Sequence, residues 1–468
     1  MSELDLGLKV GARRLLWSMG FSTRLDVELR GDPKPAQSGS KNARGAGREW
    51  AGPETFTDLD VLGVLLTPNY RLTTAIADCK SGRRDKPTAR MFWARGVADL
   101  FGADQIMLVR EHDVNDATRQ LSSRLGITVL PSADLALMQQ LHGSAQPDPS
   151  DPLGLLFDRE AASENLAAFH SLDSRLNSLM EYRQFDYWIY EHHRNPIQLV
   201  AHLKEAGKHL DPRNPIHLAL FLDLAWLYLL ALVRVTEHLR GAFLRDPDRG
   251  LQEYLFGGAT QLREKEETAA LLRTVAPTGS PDLDHLPAYY SNMRELVARL
   301  LRRPNEIQEG LRYAEVASAL MAAKKRIPLG DVFGRNFDPV AAKLVADVCG
   351  FLVASAGLSP SFRAQARAYL LGEPLPGVNR QEKSIVGQAP ASPVSKQLHR
   401  EEQHDQSEPK TKDDVGDGTT DDRPSKSPNS STAPGSTKDE TTLLDERVIL
   451  ADQHQLDLRI SEPKPPNG

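Results

Sequence analysis

Cysteine is nearly missing: the 468-residue chain has two, Cys79 and Cys349. Two thiols cannot form a disulfide framework, and their scarcity points to a reducing cytoplasm rather than a secreted product. A surplus of one charge is missing as well. The net charge is -6, which excludes a globally polybasic chain, so contact with nucleic acid would have to come from local patches. The N-terminus has no basic stretch leading into an apolar core, so no signal peptide is expected. No internal repeat of fixed period occurs, which argues against a solenoid. One apolar run stands out, from His217 to Val235, but it carries Asp223 near its middle. A carboxylate there is costly in lipid, and no second span accompanies it. A buried central helix is therefore expected, with no membrane partner.

What is present begins with the stretch ETFTDLDVLGVLLTPNYRLTTAIADCK, residues 54–80. It reads as two strands joined by a turn at Thr67-Pro68-Asn69. Because strand side chains alternate, Asp58 and Asp60 fall on one face and Leu59 and Val61 on the other. The second strand ends in Asp78-Cys79-Lys80, which places Asp78 and Lys80 together and turns Cys79 into the core as a small buried hydrophobe. The hairpin thus delivers Asp60, Asp78 and Lys80 to one spot.

Two carboxylates held close by rigid strands repel each other unless a cation lies between them. Mg2+ (or Mn2+) suits such an oxygen site and keeps waters for a phosphate and a nucleophile. A neighbouring lysine can orient the attacking water or neutralise charge growing on the phosphate. The set therefore suits metal-assisted phosphodiester hydrolysis, with Asp60 and Asp78 on the metal. A solvated acidic hairpin edge with a charge-paired lysine accounts for the same residues.

TDLDVLGV followed by IADCKSG resembles the PD-(D/E)XK nuclease superfamily, in the style of Holliday-junction resolvases and Mrr-type restriction endonucleases. The resemblance covers roughly residues 4–139. It implies a restriction-endonuclease-like α/β domain, a mixed sheet flanked by helices, and catalytic roles for Asp60, Asp78 and Lys80. It departs from the family pattern in having Asp78 where glutamate is more frequent, no proline before Asp58 or Asp60, and no traced helix glutamate. Glu3, Glu49 and Glu54 are the candidates for that glutamate. Asp58, Glu54 and Arg95 are further site candidates, Arg95 because a polar residue of the following helix helps to hold substrate in related nucleases.

The surrounding chain supports the same order. A helix over Leu4–Met19 and a strand with Leu25, Val27 and Leu29 on one face precede the hairpin. Residues 31–53 form a Gly/Ser/Pro-rich loop with Lys34, Lys41, Arg44 and Arg48. Arg83, Arg84 and Lys86 follow the motif. Both basic segments suit a phosphate backbone, and both equally suit a solvated surface. A helix, an apolar strand, a helix and a short strand complete an α-β-β-β-α-β-α-β unit, and a closing helix follows. The domain spans residues 1–143, followed by a Pro/Asp-rich linker at 144–152. An all-α domain at 153–376 comes next, with helical periodicity and almost no strand signal. Its aromatic cluster from Tyr182 to Tyr190 suits packing between helices better than base stacking, and His192 and His193 lack the spacing of a helical metal pair. Residues 377–468 hold too little apolar surface to offset ordering and are expected to be disordered, save a short segment at 442–460.

The sequence thus leads to a magnesium-dependent endonuclease, with DNA favoured over RNA and the helical domain selecting substrate or a protein partner. The competing expectation is a catalytically inactive nuclease-like protein that binds nucleic acid or assembles with others. A nuclease half of a defence system, with the helices as sensor, is compatible with the first.

Overall fold

The computed structural model describes residues 3–30, 55–82, 86–143, 151–189, 191–275 and 286–375. The basic loop at 31–54, Arg83, Arg84 and the whole segment 376–468 lie outside the described residues. The first elements are helix α1 (Glu3–Ser18), strands β1 (Ser22–Arg30), β2 (Thr55–Leu66) and β3 (Leu72–Lys80), and helix α2 (Pro87–Phe101). Strand β4 (Gln105–Arg110), helix α3 (Asp116–Leu125), strand β5 (Ile127–Pro131) and helix α4 (Ser132–Leu141) follow. The five strands form one mixed sheet in the order β1-β2-β3-β4-β5, antiparallel through β3 and parallel from β3 to β5.

The hairpin turn forms where Thr67, Pro68 and Asn69 interrupt the apolar alternation. Thr67 O accepts from Tyr70 N at 2.8 Å, and Thr67 N donates back to Arg71 O at 3.0 Å. Tyr70 takes the left-handed conformation that closes it, at φ 63°. One sheet face carries Val61, Ala75, Ala77, Cys79 and Val109, packed on Leu8, Ala12 and Leu15 of α1. The other carries Leu62, Val64, Ile76 and Leu108 under Met91, Ala94 and Val97 of α2. Cys79 lies on the α1 face, fully buried, with its thiol raised well above its ordinary value by burial first and then by Asp60 and Asp78.

Beyond residue 151 the chain is helical. It contains α5 (Arg159–His170), α6 (Asn177–Glu181), a π-helical turn (Tyr182–Asp186), α7 (Tyr187–Ile189) and α8 (Asn195–Ala206). Then come α9 (Pro215–Ala242), α10 (Pro247–Phe256), α11 (Ala259–Val275), α12 (Tyr290–Leu300), α13 (Pro304–Ala322), α14 (Leu329–Phe333), α15 (Pro339–Ala356) and α16 (Pro360–Leu371). Within the region expected to be all-α, α5 ends at His170, and α10 and α11 are separated at Gly257 and Gly258. Both glycines have positive φ, which ends α10. Helices α9 and α15 are long and apolar enough to cross a membrane, but 83% and 61% of their most apolar windows are buried inside the protein. Their apolarity is accounted for by packing. The aromatic cluster also packs between helices, with Tyr182 and Tyr187 edge to face at 6.1 Å and Tyr182 stacked on His202 at 4.5 Å.

The composition shift at 144–152 is not a boundary in packing. All described residues fall in one compact unit, and one hydrophobic cluster runs from Leu62 and Ile76 of the sheet to Leu220 and Leu311 of the helices. Polar staples reinforce it. Glu315 of α13 is buried and accepts from Arg13 Nη2 (2.8 Å), Ser22 Oγ (2.8 Å), Thr23 N (2.7 Å) and Thr23 Oγ1 (2.5 Å). Gln308 accepts from Leu66 N at 2.8 Å, which occupies a donor at the end of β2.

Candidate active site

The site lies where the ladders of β1, β2 and β3 open. Strand β1 pairs Leu25 with Val61 and Val27 with Leu59, but the pair between them, Asp26 and Asp60, is skipped. The β2–β3 ladder stops at Val61–Ala77. Extending both registers by one step sets Asp26, Asp60 and Asp78 in a single row across three strands. Asp26 is left-handed, at φ 52°, a conformation that aspartate tolerates better than most residues. Across this row the side-chain parity flips in both strands. Leu25 and Val61 pack on the α1 face, whereas Val27, Leu29 and Leu59 pack on the other. Simple alternation placed Leu25 with Val27 and Leu59 with Val61; the paired irregularity overturns both while keeping the register.

Asp60, 2% exposed, would be costly to bury as a charge without partners. Its Oδ2 accepts the Cys79 amide at 2.7 Å, a donor released by the opened ladder. Its Oδ1 lies 2.7 Å from Lys9 Nζ of α1, which also pairs with Asp26. Lys80 Nζ sits between Asp60 and the next carboxylate, Asp78, at 3.6 and 3.8 Å. Asp78 is gripped by Arg90 of α2 through two bonds, at 2.6 and 2.5 Å. The row thus reads Asp26, Lys9, Asp60, Lys80, Asp78, Arg90, with charges alternating in sign.

Titration follows this geometry. Burial alone would lower the Lys9 ammonium, but Asp60 and Asp26 outweigh it and raise it above its ordinary value. Burial raises the Asp26 carboxyl, with Lys9 opposing. For Arg90 the two bonds to Asp78 outweigh desolvation, so its guanidinium stays firmly charged.

The row bears on the expected metal pair. Asp60 and Asp78 are close, as the hairpin predicts, but the cation between them is Lys80 itself, and Asp78 has both oxygens on Arg90. The oxygens that converge instead are those of Asp26, Asp58 and Asp60, all within 4.8 Å of one another. They form an all-carboxylate donor set that fits a hard divalent cation. These three, with Lys80 and Asp5, border a cleft of about 690 Å³ roofed by α5, α6 and the π-helical turn. Asp78 is not among its lining residues.

The other sequence candidates divide. Glu54, Arg44, Arg48, Arg83 and Arg84 lie outside the described residues, as do Lys34, Lys41 and Glu49. Lys86 is exposed at the N-cap of α2. Arg95 is not brought to the site: it pairs with Asp99 at 2.7 Å, one turn on along an exposed helix face. From the same helix, it is Arg90 that reaches the row, where it bonds Asp78. Among the residues that sequence reading missed, α1 contributes Asp5, whose Oδ1 accepts from Ser81 N (3.0 Å) and Ser81 Oγ (2.7 Å), and Lys9. Asp5, Lys9 and Arg13 recur every four residues, a charged stripe along one line of α1, and that stripe is the available signal.

No family model matches this chain, and no curated protein or solved structure does either.

Proposed function

We propose that the protein is a metal-dependent phosphodiester hydrolase of the PD-(D/E)XK nuclease type, acting on nucleic acid, with DNA favoured, in the cytoplasm. The observation that carries this reading is the convergence of the Asp26, Asp58 and Asp60 oxygens within 4.8 Å at a cleft that Lys80 also lines. The α-β-β-β-α-β-α-β order from Glu3 to Pro131 agrees with the resemblance. Asp58 and Asp60, joined by Asp26, would hold Mg2+ or Mn2+, which supplies Lewis-acid polarisation of a phosphoryl oxygen. Lys80 presents its ammonium to the cleft, where it orients the attacking water and offsets charge growing on the phosphate. Asp78 then acts through Lys80, fixed in turn by Arg90. Lys9 holds Asp60 and Asp26 in place from below. Exposed Lys86 and the basic segments beside the motif would meet the phosphate backbone.

The deciding experiment is a cleavage assay with single- and double-stranded DNA and RNA in magnesium, manganese or EDTA. Metal-dependent cleavage by the wild type and its loss in Lys80→Ala is the expected result. Equal behaviour of the two proteins on every substrate overturns it. One observation favours a second reading, a catalytically silent nucleic-acid-binding protein: the alternating row already neutralises each of its carboxylates without a metal. Binding without cleavage in every metal would select that reading.

A further inference from the structure

The cleft has a second wall whose chemistry is opposite to the first. Asp223, in the middle of apolar α9, is partly buried and takes two arginines at once. Arg24 of β1 bonds both oxygens, at 3.3 and 2.9 Å, and Arg183 of the π-helical turn donates its Nε at 2.5 Å. Burial alone would raise this carboxyl, but Arg183 and then Arg24 hold it below its ordinary value, so it stays ionised. Two guanidiniums on one carboxylate leave one surplus positive charge. Arg24 spends its donors on Asp223 and lies beside the rings of Trp188 and Trp226. Arg183 hydrogen-bonds only through Nε, and its guanidinium lies over the Phe169 ring at 4.4 Å; its terminal nitrogens have no protein acceptor among the described residues, and the side chain lines the cleft. Although Arg183 is paired with Asp223, it still turns terminal N–H donors to the cleft, where they can receive an anion.

The rest of the cleft narrows the choice. Leu166, Phe169 and Met180 supply an apolar roof on the same side. The walls are tied together by Gln184 Nε2 donating to Glu28 Oε1 at 3.0 Å. Its volume of about 690 Å³ falls in the range of small-molecule pockets. A duplex, whose major groove alone is about 12 Å wide, would have to remain outside.

We propose that Arg183, backed by Arg24 on the shared Asp223, is the phosphate receptor of this cleft, and that the cleft takes a single-stranded, phosphate-bearing strand end. This rests on the phosphodiester reading for what happens next, but not for binding. The base lies under the apolar roof, the end phosphate on Arg183, and the neighbouring phosphodiester is left facing Asp58, Asp60 and Lys80. The strand is taken end-first because the cleft, at about 690 Å³, is of small-molecule size.

The test uses the full chain in EDTA, with fluorescence anisotropy on hexathymidylate carrying a phosphate at its 5′ end, at its 3′ end, or at neither. The wild type should prefer one phosphorylated strand by on the order of tenfold over the unphosphorylated one, the worth of one charge-assisted hydrogen bond. It should bind a blunt duplex more weakly. Arg183→Gln should abolish the preference and Arg183→Lys should keep part of it. Equal binding of all three strands by the wild type, or an undiminished preference in Arg183→Gln, overturns the proposal. Should Arg183→Gln not fold, competition against the wild type decides: thymidine monophosphate should displace the strand and thymidine should not, and equal displacement overturns it. A preserved end preference with no cleavage in any metal would sink the hydrolase reading alone. Cleavage of duplex and single strand with no end preference would sink the cleft assignment alone.

Discussion

Two ionic clusters lie a few residues apart on β1, and they are built differently. At Ser22 and Thr23 the strand meets Glu315, whose carboxylate receives four donors from Arg13, Ser22 and Thr23, while Trp226 Nε1 donates to Ser22 Oγ at 2.8 Å. Every polar atom around that carboxylate is used within the protein. At Asp26 the strand meets the alternating row, which balances in charge but borders a cleft and leaves Asp58 exposed. A saturated cluster has nothing left to bind with and serves the fold. An open one retains lone pairs facing solvent, and that is where chemistry can occur.

The comparison can be broken at several points. The largest expected effect is on Glu315→Ala, which leaves Arg13 buried without its partner and should cost about 3–5 kcal/mol in denaturant unfolding. A loss below about 1 kcal/mol would show that the saturated cluster is not what joins the sheet to the helices. Next comes Lys80→Ala. With its head partly exposed, it should change stability little yet reduce cleavage by about 10²–10³-fold, the usual effect of losing one charge-stabilising donor. A large fall in melting temperature with cleavage intact would reverse the roles of the two clusters.

A third effect is smaller and separates carboxylates within the row. Magnesium at about 100 times its dissociation constant should stabilise the folded protein by roughly 2.7 kcal/mol by mass action. Calorimetry should find this gain lost in Asp58→Asn and retained in Asp78→Asn, because Asp78 belongs to Arg90. The opposite pattern would restore the Asp60–Asp78 pair as the metal site.

The fourth is the smallest and depends on pH. Burial raises the folded Asp26 carboxyl above its ordinary 3.8, against Lys9 and with Asp60 and Asp58 adding to the rise. In the window above 3.8 the native state therefore holds more protons than the unfolded chain, and stability falls as pH rises through it. Asp26→Asn removes that slope, so its stability relative to the wild type should improve from acid toward neutral pH. A difference that is flat or declines over that range would show Asp26 to be governed by Lys9 instead.

Much of the open cluster was legible because hairpins are local. Alternation and the Thr67-Pro68-Asn69 break gave β2, β3 and the meeting of Asp60, Asp78 and Lys80, since turn chemistry and strand period act over a few residues. Asp26, Lys9 and Arg90 were not legible, because each depends on packing between elements. The left-handed Asp26 reverses side-chain parity, and no period-two reading can anticipate a reversal made jointly by two strands. The saturated cluster was wholly hidden. Thr23 and Glu315 are 292 positions apart, and Arg24 and Asp223 are 199 apart. Asp223 argues, from the sequence, against a membrane span and for a buried helix, but its position alone cannot name the two arginines that meet it. The Pro/Asp-rich stretch at 144–152 suggested separable domains for the same reason: composition reports on a linker, not on what its two flanks bury together.

The stapling of Glu315 to the first residues of β1 also bears on ancestry and exchange. A catalytic unit that ended cleanly before residue 144 could be passed between proteins and fitted with new partners. Here a transplanted sheet would carry Arg13, Ser22, Thr23 and Arg24 without the acids that complete them, and its recipient would have to supply a helix with a carboxylate at the same height. The two halves are therefore expected to be inherited as one piece.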